Sequence, residues 1–460
     1  MKLKNLLSIL IFFISISTTA QTSSAGWQNL FNGKDLTGWK RLGGTADFKV
    51  EDGVIVGRTV ANSRNTFLVT EKEYGDFILE ADVWVEDEEG NAGLQTRSHF
   101  NPTAFEGQGR VYGRQCEVDP SFRKWSGGIY DEGRREWLYP MQLNAPAQNA
   151  YKNGVYNHYR VECIGNEMKT WVNGVAMAYV VDTIDAKGFI GLQVHAVKDS
   201  SHIGKKVCYK NIRIKTTGLV STPFPPNVYV ANFVPNNLTA YEKKDGWRLL
   251  FDGKTNKGWI SAKGNNFPEK GWTIGNGIIS VQDAEGKEAT NGGDIVTNEQ
   301  FAAFDLSFEF KLTPGANSGV KYFVTLAEDS KGSAIGLEYQ VLDDSLHPDA
   351  KLGRNGDRTL ASVYDMIKAE KQKRFLRPIG SWNFGRIIVY PNNKVEHYLN
   401  GVKVLEYIRG SKEYRDLVAL SKYVIWKNFG EAPQGHILLQ DHGNAVSYRS
   451  IKIKELKWCN

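Results

Sequence analysis

Methionine, cysteine and long hydrophobic runs are scarce in this 460-residue chain. The four cysteines, Cys116, Cys163, Cys208 and Cys459, show no Cys-x-x-Cys spacing, which argues against a zinc site. A disulfide is open to an exported chain, but the sequence does not give its pairing. Beyond the first twenty residues, no apolar run approaches the roughly 20 residues that span a bilayer, so we expect no membrane anchor.

Runs of lysine and arginine are also missing. The net charge is +6, yet basic residues alternate with acidic ones along the chain. Nucleic-acid binding usually requires a concentrated basic patch, so a nucleic-acid partner is not expected.

The N-terminus has the pattern of an export signal. Lys2 and Lys4 precede an almost wholly apolar run from Leu6 to Ile16, and small residues follow it. This run is too short to cross a bilayer comfortably. We therefore expect residues 1–20 to be a cleaved signal peptide and the mature chain to be periplasmic or secreted. The absence of a cysteine after the cleavage site argues against a lipid anchor.

The remaining chain contains one pattern twice. The first set of motifs recurs at a constant offset of 220 residues: Gly26-Trp27, Leu30 to Lys34 and Gly38-Trp39 match Gly246-Trp247, Leu250 to Lys254 and Gly258-Trp259. Later motifs follow in the same order. We therefore predict two copies of one module, repeat one (residues 26–216) and repeat two (residues 245–458), joined by a proline-containing linker at 217–244.

Both repeats have the sequence pattern of β-sandwiches. Short alternating runs such as Phe304–Phe310 are separated by Gly, Asn and Asp turns. Asn173-Gly174 and Asn400-Gly401 are typical of two-residue hairpin turns, whose central residues need positive φ. The predicted fold class is all-β, with two concanavalin-like antiparallel β-sandwich (jelly-roll) domains in tandem.

Repeat two carries an insertion. The offset between the repeats jumps from 227 to 247 before the last motif, which places about twenty extra residues within Glu406–Gln434. Their centre, Lys412–Tyr423, has helical spacing. This predicts a helix in a loop over one edge of the sheet, which could act as a lid or be a surface insertion without a role in the site.

The densest polar run of the chain also lies in repeat two. On a strand, Glu338 and Gln340 share one face, and a bulge at Leu342 would bring Asp343 onto it. His347 follows closely. Two carboxylates, an amide and an imidazole on one sheet face suit acid–base chemistry on a sugar, whereas the alternative interpretation is a solvated strand edge.

Other residues of repeat two are suited to holding a sugar. Gln440 and His442 alternate onto one strand face, although a histidine in a strand is often purely structural. Indole rings stack on pyranose faces, and amide, phenol and imidazole groups bond to hydroxyls. The further candidates of these types are Asn317, Tyr364, Trp382, Asn383 and His397.

At these residues, repeat two resembles the 3-keto-disaccharide hydrolase family. The resemblance rests on five motifs: Leu250 to Lys254 with Gly258-Trp259, Asn317-Ser318-Gly319, Glu338 to Asp344 followed by His347 to Ala350, Val395 to Gly401, and Leu439 to Gly443. It covers nearly all of repeat two, and repeat one is similar more loosely.

The resemblance implies an enzyme that cleaves 3-keto-glycosides. A C3 ketone acidifies the C2 proton; a base removes it, the C1 substituent leaves, and water adds back. The pool for base and acid is Glu338, Asp343, His347 and His442. Residues that could orient the sugar or stabilise the oxyanion are Gln340, Tyr364 and His397. No cofactor is required, although a divalent ion held by Asp343 and His347 could polarise the ketone instead.

Repeat one departs from the family pattern. Gln115 stands where repeat two has Glu338, Glu117 stands where it has Gln340, and nothing matches His347. Its site is either rebuilt or reduced to binding, and its candidate sugar contacts are Arg97, Glu117 and His195. For the whole chain, a lectin-like binding protein and a direct two-carboxylate glycoside hydrolase remain the alternatives. The linkage specificity and the oligomeric state stay open.

Overall fold

The structure is a computed structural model that describes residues 26–287, 292–326 and 334–457. The predicted signal peptide and Cys459 lie outside these residues. The predicted all-β fold with antiparallel sheets in each repeat is confirmed. Within the described ranges, no helix has both the length and the apolar character needed to cross a bilayer.

Repeat one is built from two facing sheets. Its strands are β1 (Trp27–Asn29), β2 (Trp39–Gly43), β3 (Phe48–Glu51), β4 (Val54–Arg58), β5 (Thr66–Thr70), β6 (Phe77–Val85), β7 (Ala92–Asn101), β8 (Arg110–Val118), β9 (Ile129–Glu132), β10 (Glu136–Tyr139), β11 (Asn157–Ile164), β12 (Glu167–Val172), β13 (Val175–Val181), β14 (Phe189–Val194) and β15 (Lys206–Lys215). The front sheet has the order β10-β9-β8-β7-β14-β5-β2. The back sheet has the order β13-β12-β11-β6-β15-β4-β3, and β1 pairs with β15. Short 3₁₀ segments span Met141–Asn149 and Ser200–His202.

The linker packs against both repeats. Its strand β16 (Ala231–Asn232) pairs in parallel with β13, and its helix α1 (Ala240–Lys244) begins at a capping box. Tyr139 of repeat one donates a hydrogen bond to the carbonyl of Tyr229, and the Tyr229 hydroxyl lies 2.9 Å from Ser307 Oγ of repeat two. Glu242 of α1 forms a buried ion pair with Lys452. The linker is therefore a shared structural element.

Repeat two has the same two-sheet design with fewer front strands. Its elements are β17 (Trp247–Leu249), β18 (Trp259–Ser261), β19 (Trp272–Gly275), β20 (Ile278–Val281), β21 (Ile295–Thr297), β22 (Phe304–Leu312), β23 (Asn317–Thr325), β24 (Ile335–Leu342), β25 (Asn383–Val389), β26 (Lys394–Leu399), β27 (Val402–Ile408), α2 (Lys412–Leu420), β28 (His436–Leu439) and β29 (Val446–Glu455). The front sheet has the order β18-β21-β28-β23-β24. The back sheet has the order β19-β20-β29-β22-β25-β26-β27, and β17 pairs with β29. Its 3₁₀ segments span Pro348–Lys351, Lys373–Phe375 and Lys422–Ile425.

Several local predictions can be compared with the backbone. The helix in the insertion is confirmed as α2. Both hairpin turns are confirmed, with φ of 50° and 79° at Asn173-Gly174 and 51° and 84° at Asn400-Gly401. The bulge at Leu342 is wrong, because that residue pairs in regular register with Asn317.

The described cysteines lie in repeat one. Cys116, Cys163 and Cys208 are buried free thiols. Burial raises the pKa of all three thiols, so the inert thiol form is favoured.

A strap from repeat two, residues 371–378, completes the core of repeat one. Phe375 is 8% exposed and belongs to the apolar cluster of repeat one. Its ring centroid lies 5.7 Å from that of Trp125. The two sandwiches therefore share apolar packing as well as the linker.

The buried ring of Phe375 gives a stability prediction. We expect Phe375→Ala to lower the free energy of unfolding by about 3–5 kcal/mol, because it leaves a cavity under Trp125. Chemical denaturation followed by tryptophan fluorescence measures the change. Leu376→Ala is the matched control, since Leu376 is 39% exposed; equal effects of the two substitutions would contradict the shared core.

Candidate active site

A cavity of about 370 Å³ opens on the front sheet of repeat two. This volume lies within the range of small-molecule sites. Seven predicted site residues line it: Asn317, Glu338, Gln340, His347, Tyr364, Gln440 and His442. The wall also contains Pro348, Asp349, Leu352 and Lys422.

Strand pairing brings the first of these side chains together. Glu338 and Gln340 of β24 lie opposite Lys321 and Gly319 of β23. Because side chains alternate along a strand, these residues face the same side of the sheet. A Cβ at Gly319 would lie 2.4 Å from Glu338 Oε1, so only glycine lets the carboxylate lie across β23.

Four polar atoms around the cavity are buried without a hydrogen-bond partner among the described residues. They are Asn317 Oδ1, Gln340 Nε2, Gln440 Oε1 and His442 Nδ1. A buried polar group without a partner is destabilising by about 1–3 kcal/mol, so native proteins seldom keep several together. A ligand rich in hydroxyl groups would satisfy them.

Glu338 is the buried carboxylate of this cavity. It is 5% exposed, and burial raises its pKa above the usual value of a glutamate. The positive charges of Lys321 and Lys422 oppose this rise without cancelling it. A carboxyl group of this kind can act as a base nearer to neutral pH than an exposed one.

Lys422 was missed by the sequence analysis. It follows α2 in the insertion, its backbone N–H donates to Asp365 Oδ2 at 2.8 Å, and its Nζ lies 4.3 Å from the ring centroid of Tyr364. Burial lowers the pKa of its ammonium group, while Glu338 acts in the opposite direction. The insertion thus contributes Lys422 to the wall of the cavity, a placement for which the sequence has no local signal.

His347 is fixed by the start of a 3₁₀ turn. Its Nδ1 accepts a hydrogen bond from the Asp349 N–H at 3.2 Å, so the proton of the neutral ring lies on Nε2. The ring centroids of His347 and His442 are 6.0 Å apart and nearly perpendicular. Burial, followed by the charge of His442, lowers the pKa of His347.

Asp349 is a second carboxylate at the cavity, but its oxygens are occupied. Oδ2 accepts from the Tyr364 hydroxyl at 2.8 Å, and Oδ1 accepts from Arg358 at 2.9 Å. Asp349 and Arg358 therefore hold Tyr364 in place in the wall.

The structure places Asp343 outside the cavity. Its oxygens accept from the Gly315 N–H and from both the N–H and the hydroxyl of Ser345. These bonds, led by that of Ser345, hold the pKa of Asp343 below its usual value although burial acts in the opposite direction. The prediction that Asp343 shares the face of Glu338 is wrong because β24 has no bulge at Leu342. Asp343 lies beyond the regular end of β24, in a turn.

His397 also lies outside the cavity, because its strand face packs into the core. It is fully buried, with Nδ1 2.9 Å from the carbonyl oxygen of Ala361 and Nε2 2.9 Å from the Tyr322 hydroxyl. Burial lowers its pKa to about 4, so it stays neutral.

Three other candidates lie elsewhere. Trp382 lines a separate cleft of about 820 Å³ between the repeats. Asn383 is bonded to Asn400 and to the carbonyl of Ser381. In repeat one, Arg97 is 1% exposed and donates to Asp76 and to two backbone carbonyls, which is a structural arrangement.

The predicted metal pair does not fit the structure. The oxygens of Asp343 are committed to its turn, and Nδ1 of His347 is committed to the Asp349 N–H. In the described ranges, no three His, Cys, Asp or Glu side chains are placed to hold one ion.

Repeat one has a cavity of about 630 Å³ at the corresponding place. Glu117 and His195, two of its predicted sugar contacts, line this cavity. The duplicated design therefore extends to the cavities.

Residues 26–215 and 246–454 both match the family described as 3-keto-alpha-glucoside-1,2-lyase-like domain. The chain belongs to this family. The resemblance indicated by the motifs is thereby confirmed.

Similar proteins come from two genera, Bacteroides and Parabacteroides. The 3-keto-disaccharide hydrolase of Bacteroides thetaiotaomicron is 38% identical over 233 residues, which cover 46% of this chain and 79% of the relative. A solved structure of a putative glycosyl hydrolase from Parabacteroides distasonis is 30% identical with a TM-score of 0.43, and covers 48% of this chain and 100% of its own. A second one from that organism is 26% identical with a TM-score of 0.35, and covers 46% and 99%.

The environment of His347 gives a titration prediction. We expect its midpoint below 6.5, because burial and His442 both disfavour the charged ring. In His442→Gln the midpoint should rise, because the charge of His442 no longer opposes that of the ring. Histidine NMR, assigned with His347→Gln, measures both values. A midpoint at or above 6.5 in the unsubstituted protein would contradict the expected effect of burial and of His442.

Proposed function

We propose that repeat two cleaves 3-keto-glycosides and that Glu338 is its base. One observation carries the proposal: the buried carboxylate of Glu338 lies in a cavity ringed by four polar atoms without partners. Such a ring suits the hydroxyl groups of a sugar, and membership of the family supports a 3-keto-sugar substrate. The N-terminal sequence pattern supports export to the periplasm or outside the cell.

The proposed reaction begins with removal of the C2 proton. The C3 ketone acidifies this proton, and Glu338 accepts it as the C2–H bond breaks. Burial raises the pKa of Glu338, which brings the base closer in strength to the weakly acidic C–H bond. The electron pair moves into an enolate, which places negative charge on the C3 oxygen.

Other groups that line the cavity complete the reaction. The Lys422 ammonium and the unpartnered Gln340 Nε2 can stabilise the enolate oxygen. His347 carries its proton on Nε2 and can donate it to the glycosidic oxygen as the C1–O bond breaks. Water then adds across the C1=C2 bond: its oxygen bonds to C1 as its proton returns to His347 Nε2, and Glu338 returns a proton to C2, which completes net hydrolysis and regenerates both groups.

A direct two-carboxylate hydrolysis is less well supported. It needs two carboxylates that can both reach the glycosidic bond. Of the cavity-lining residues in the described ranges, Glu338 and Asp349 are the carboxylates, and Asp349 is held by Tyr364 and Arg358. Elimination followed by hydration requires only one carboxylate.

Replacement of the base tests the proposal. We expect Glu338→Gln to lower the kcat for a purified 3-keto-disaccharide by a factor of about 10²–10⁴, the usual contribution of a general base. The matched control is Glu406→Gln, since the Glu406 side chain is 49% exposed on β27. Product release is followed by chromatography, and circular dichroism checks folding.

The same assay separates the two routes. Elimination breaks the C2–H bond and direct hydrolysis does not, so a substrate deuterated at C2 should react more slowly by elimination or lose deuterium to the solvent. Full turnover of the C2-deuterated substrate at the unlabelled rate and with all its deuterium retained would contradict the elimination route, and unchanged turnover in Glu338→Gln would exclude Glu338 as the base.

The pH dependence tests the electrostatic setting of Glu338. The acid limb of kcat/KM should have a midpoint above 4.5, because the base is active only when deprotonated. Lys422→Met should move this limb to higher pH, because loss of a nearby cation disfavours the carboxylate. Lys412→Met, on the exposed side of α2, should leave the limb in place. A shift to lower pH in Lys422→Met would contradict the electrostatic effect of Lys422 on Glu338.

A further inference from the structure

The cavity of repeat one is built on the same strand positions as that of repeat two. Gly93 lies opposite Glu117 in β7 and β8, as Gly319 lies opposite Gln340. A Cβ at Gly93 would lie 2.1 Å from the side chain of Gln115, so the close approach is also kept. Gln115 therefore occupies the place of Glu338.

One buried side chain of this cavity has polar atoms without hydrogen-bond partners among the described residues, as is typical of a ligand site. Gln193 is fully buried, and neither its Oε1 nor its Nε2 has a hydrogen-bond partner among the described residues. It lines the cavity and corresponds to Gln440. A buried amide with both ends unsatisfied is destabilising, so its presence points to a ligand with a donor and an acceptor.

The neighbouring polar groups form a fixed network. Asn91 and Gln115 both donate to the carboxylate of Glu117, and Gln95 donates to Gln115 Oε1 at 2.8 Å. Burial raises the pKa of Glu117. His195 is held in place by a hydrogen bond from its Nδ1 to the carbonyl of Ala196, so Nε2 is the ring nitrogen outside this bond. These groups are held rigidly around Gln193.

The reactive groups of repeat two have no counterparts here. Gln115 replaces the proposed base, and repeat one has neither the His347 turn nor the insertion that carries Lys422. In their place stand β9 and β10, with Tyr130 and Trp137 in the wall. The cavity can hold a ring, and two of its carboxyl groups, those of the buried Glu117 and the half-buried Glu132, lie at positions other than that of the base proposed for repeat two.

Aromatic groups and a residue of the other repeat complete the wall. Phe122 lies at the rim and is 86% exposed, an unusual position for a large apolar ring. Aromatic faces of this kind pack on the apolar faces of pyranose rings. Arg374, from the strap of repeat two, closes the cavity on another side, so the site depends on the tandem arrangement.

The charges of the wall favour an uncharged ligand. The lining carboxylates are Glu89, Glu117, Asp119, Glu132 and Glu136, and the lining guanidinium groups are Arg123 and Arg374. Carboxyl groups outnumber guanidinium groups, and burial raises the pKa of Glu117 and raises that of Glu132 to about 7, so the wall offers an anion no excess of positive charge. No cluster in the described ranges is placed for a metal ion. An uncharged polyhydroxylated ring satisfies the amides, the aromatic faces and the charge balance together.

We propose that the repeat-one cavity is a second, non-catalytic site that binds a neutral, unoxidised saccharide. It goes beyond the function proposed for repeat two, because it assigns a different sugar to a different cavity. With about 630 Å³, it has room for more than one pyranose ring.

Binding of unoxidised disaccharides tests the proposal. The full chain carrying Glu338→Gln is titrated by calorimetry with maltose, cellobiose and sucrose, up to about 10 mM, tenfold above a weak Kd of about 1 mM. We expect saturable binding of at least one of them. Gln193→Leu and Phe122→Ala should each weaken it tenfold or more, and Gln440→Leu, the matched change in repeat two, should not.

Loss of binding in these variants would not be explained by loss of folding. Gln193→Leu replaces an unsatisfied buried amide by an apolar group of similar size, so its melting temperature should not fall. Phe122 is exposed, so Phe122→Ala should fold in any case. The proposal is overturned by no saturable binding, by binding that survives both repeat-one substitutions, or by binding lost in Gln440→Leu. Turnover of the keto sugar is a separate measurement on the unsubstituted chain, so either proposal can fail alone.

Discussion

The close approach of the Glu338 side chain to the backbone of Gly319 is the constraint on which the candidate site depends. Without a Cβ at that position, the carboxylate can lie flat across the neighbouring strand, where it is both buried and in contact with the cavity. Its burial raises its pKa, and the same geometry places Gln340 beside it. Repeat one retains the close approach at Gly93 although the side chain over it has become Gln115, so the backbone geometry has persisted through a change of chemistry.

The two cavities show how a duplicated sandwich can divide its work. Both keep a buried glutamine at the same motif position, Gln193 in β14 and Gln440 directly after β28, with unsatisfied amide atoms. The buried carboxylate differs in position by two residues along the strand. Repeat two has it at Glu338, whereas repeat one has it at Glu117, which corresponds to Gln340. The walls then diverged: repeat two gained the segment that carries Lys422, whereas repeat one has extra front strands with aromatic side chains. In both repeats the front sheet supplies the buried polar groups of the cavity, and the segments around the sheet determine which chemistry the cavity can perform.

Features that depend on local sequence patterns could be predicted, whereas features that depend on contacts between distant segments could not. The fold and the shared face of Glu338 and Gln340 depend on strand periodicity, which is local and visible in the chain. Asp343 was misplaced because a bulge depends on the partner strand. His397 was misjudged because periodicity does not say which face meets the core. The place of Lys422 depends on how the insertion docks against the sheet, which is a tertiary contact without a local pattern.

The strap that carries Phe375 has an evolutionary consequence. Each repeat matches the family by itself, which suggests modules that recombine freely. Yet the ring of Phe375 fills a space beneath Trp125, and the linker strand extends the sheet of repeat one while its helix forms an ion pair with repeat two. A gene fission within the linker would leave one product with a gap in its core and the other with an exposed aromatic side chain. The duplication has therefore become difficult to reverse, and the two repeats must now be inherited as one unit.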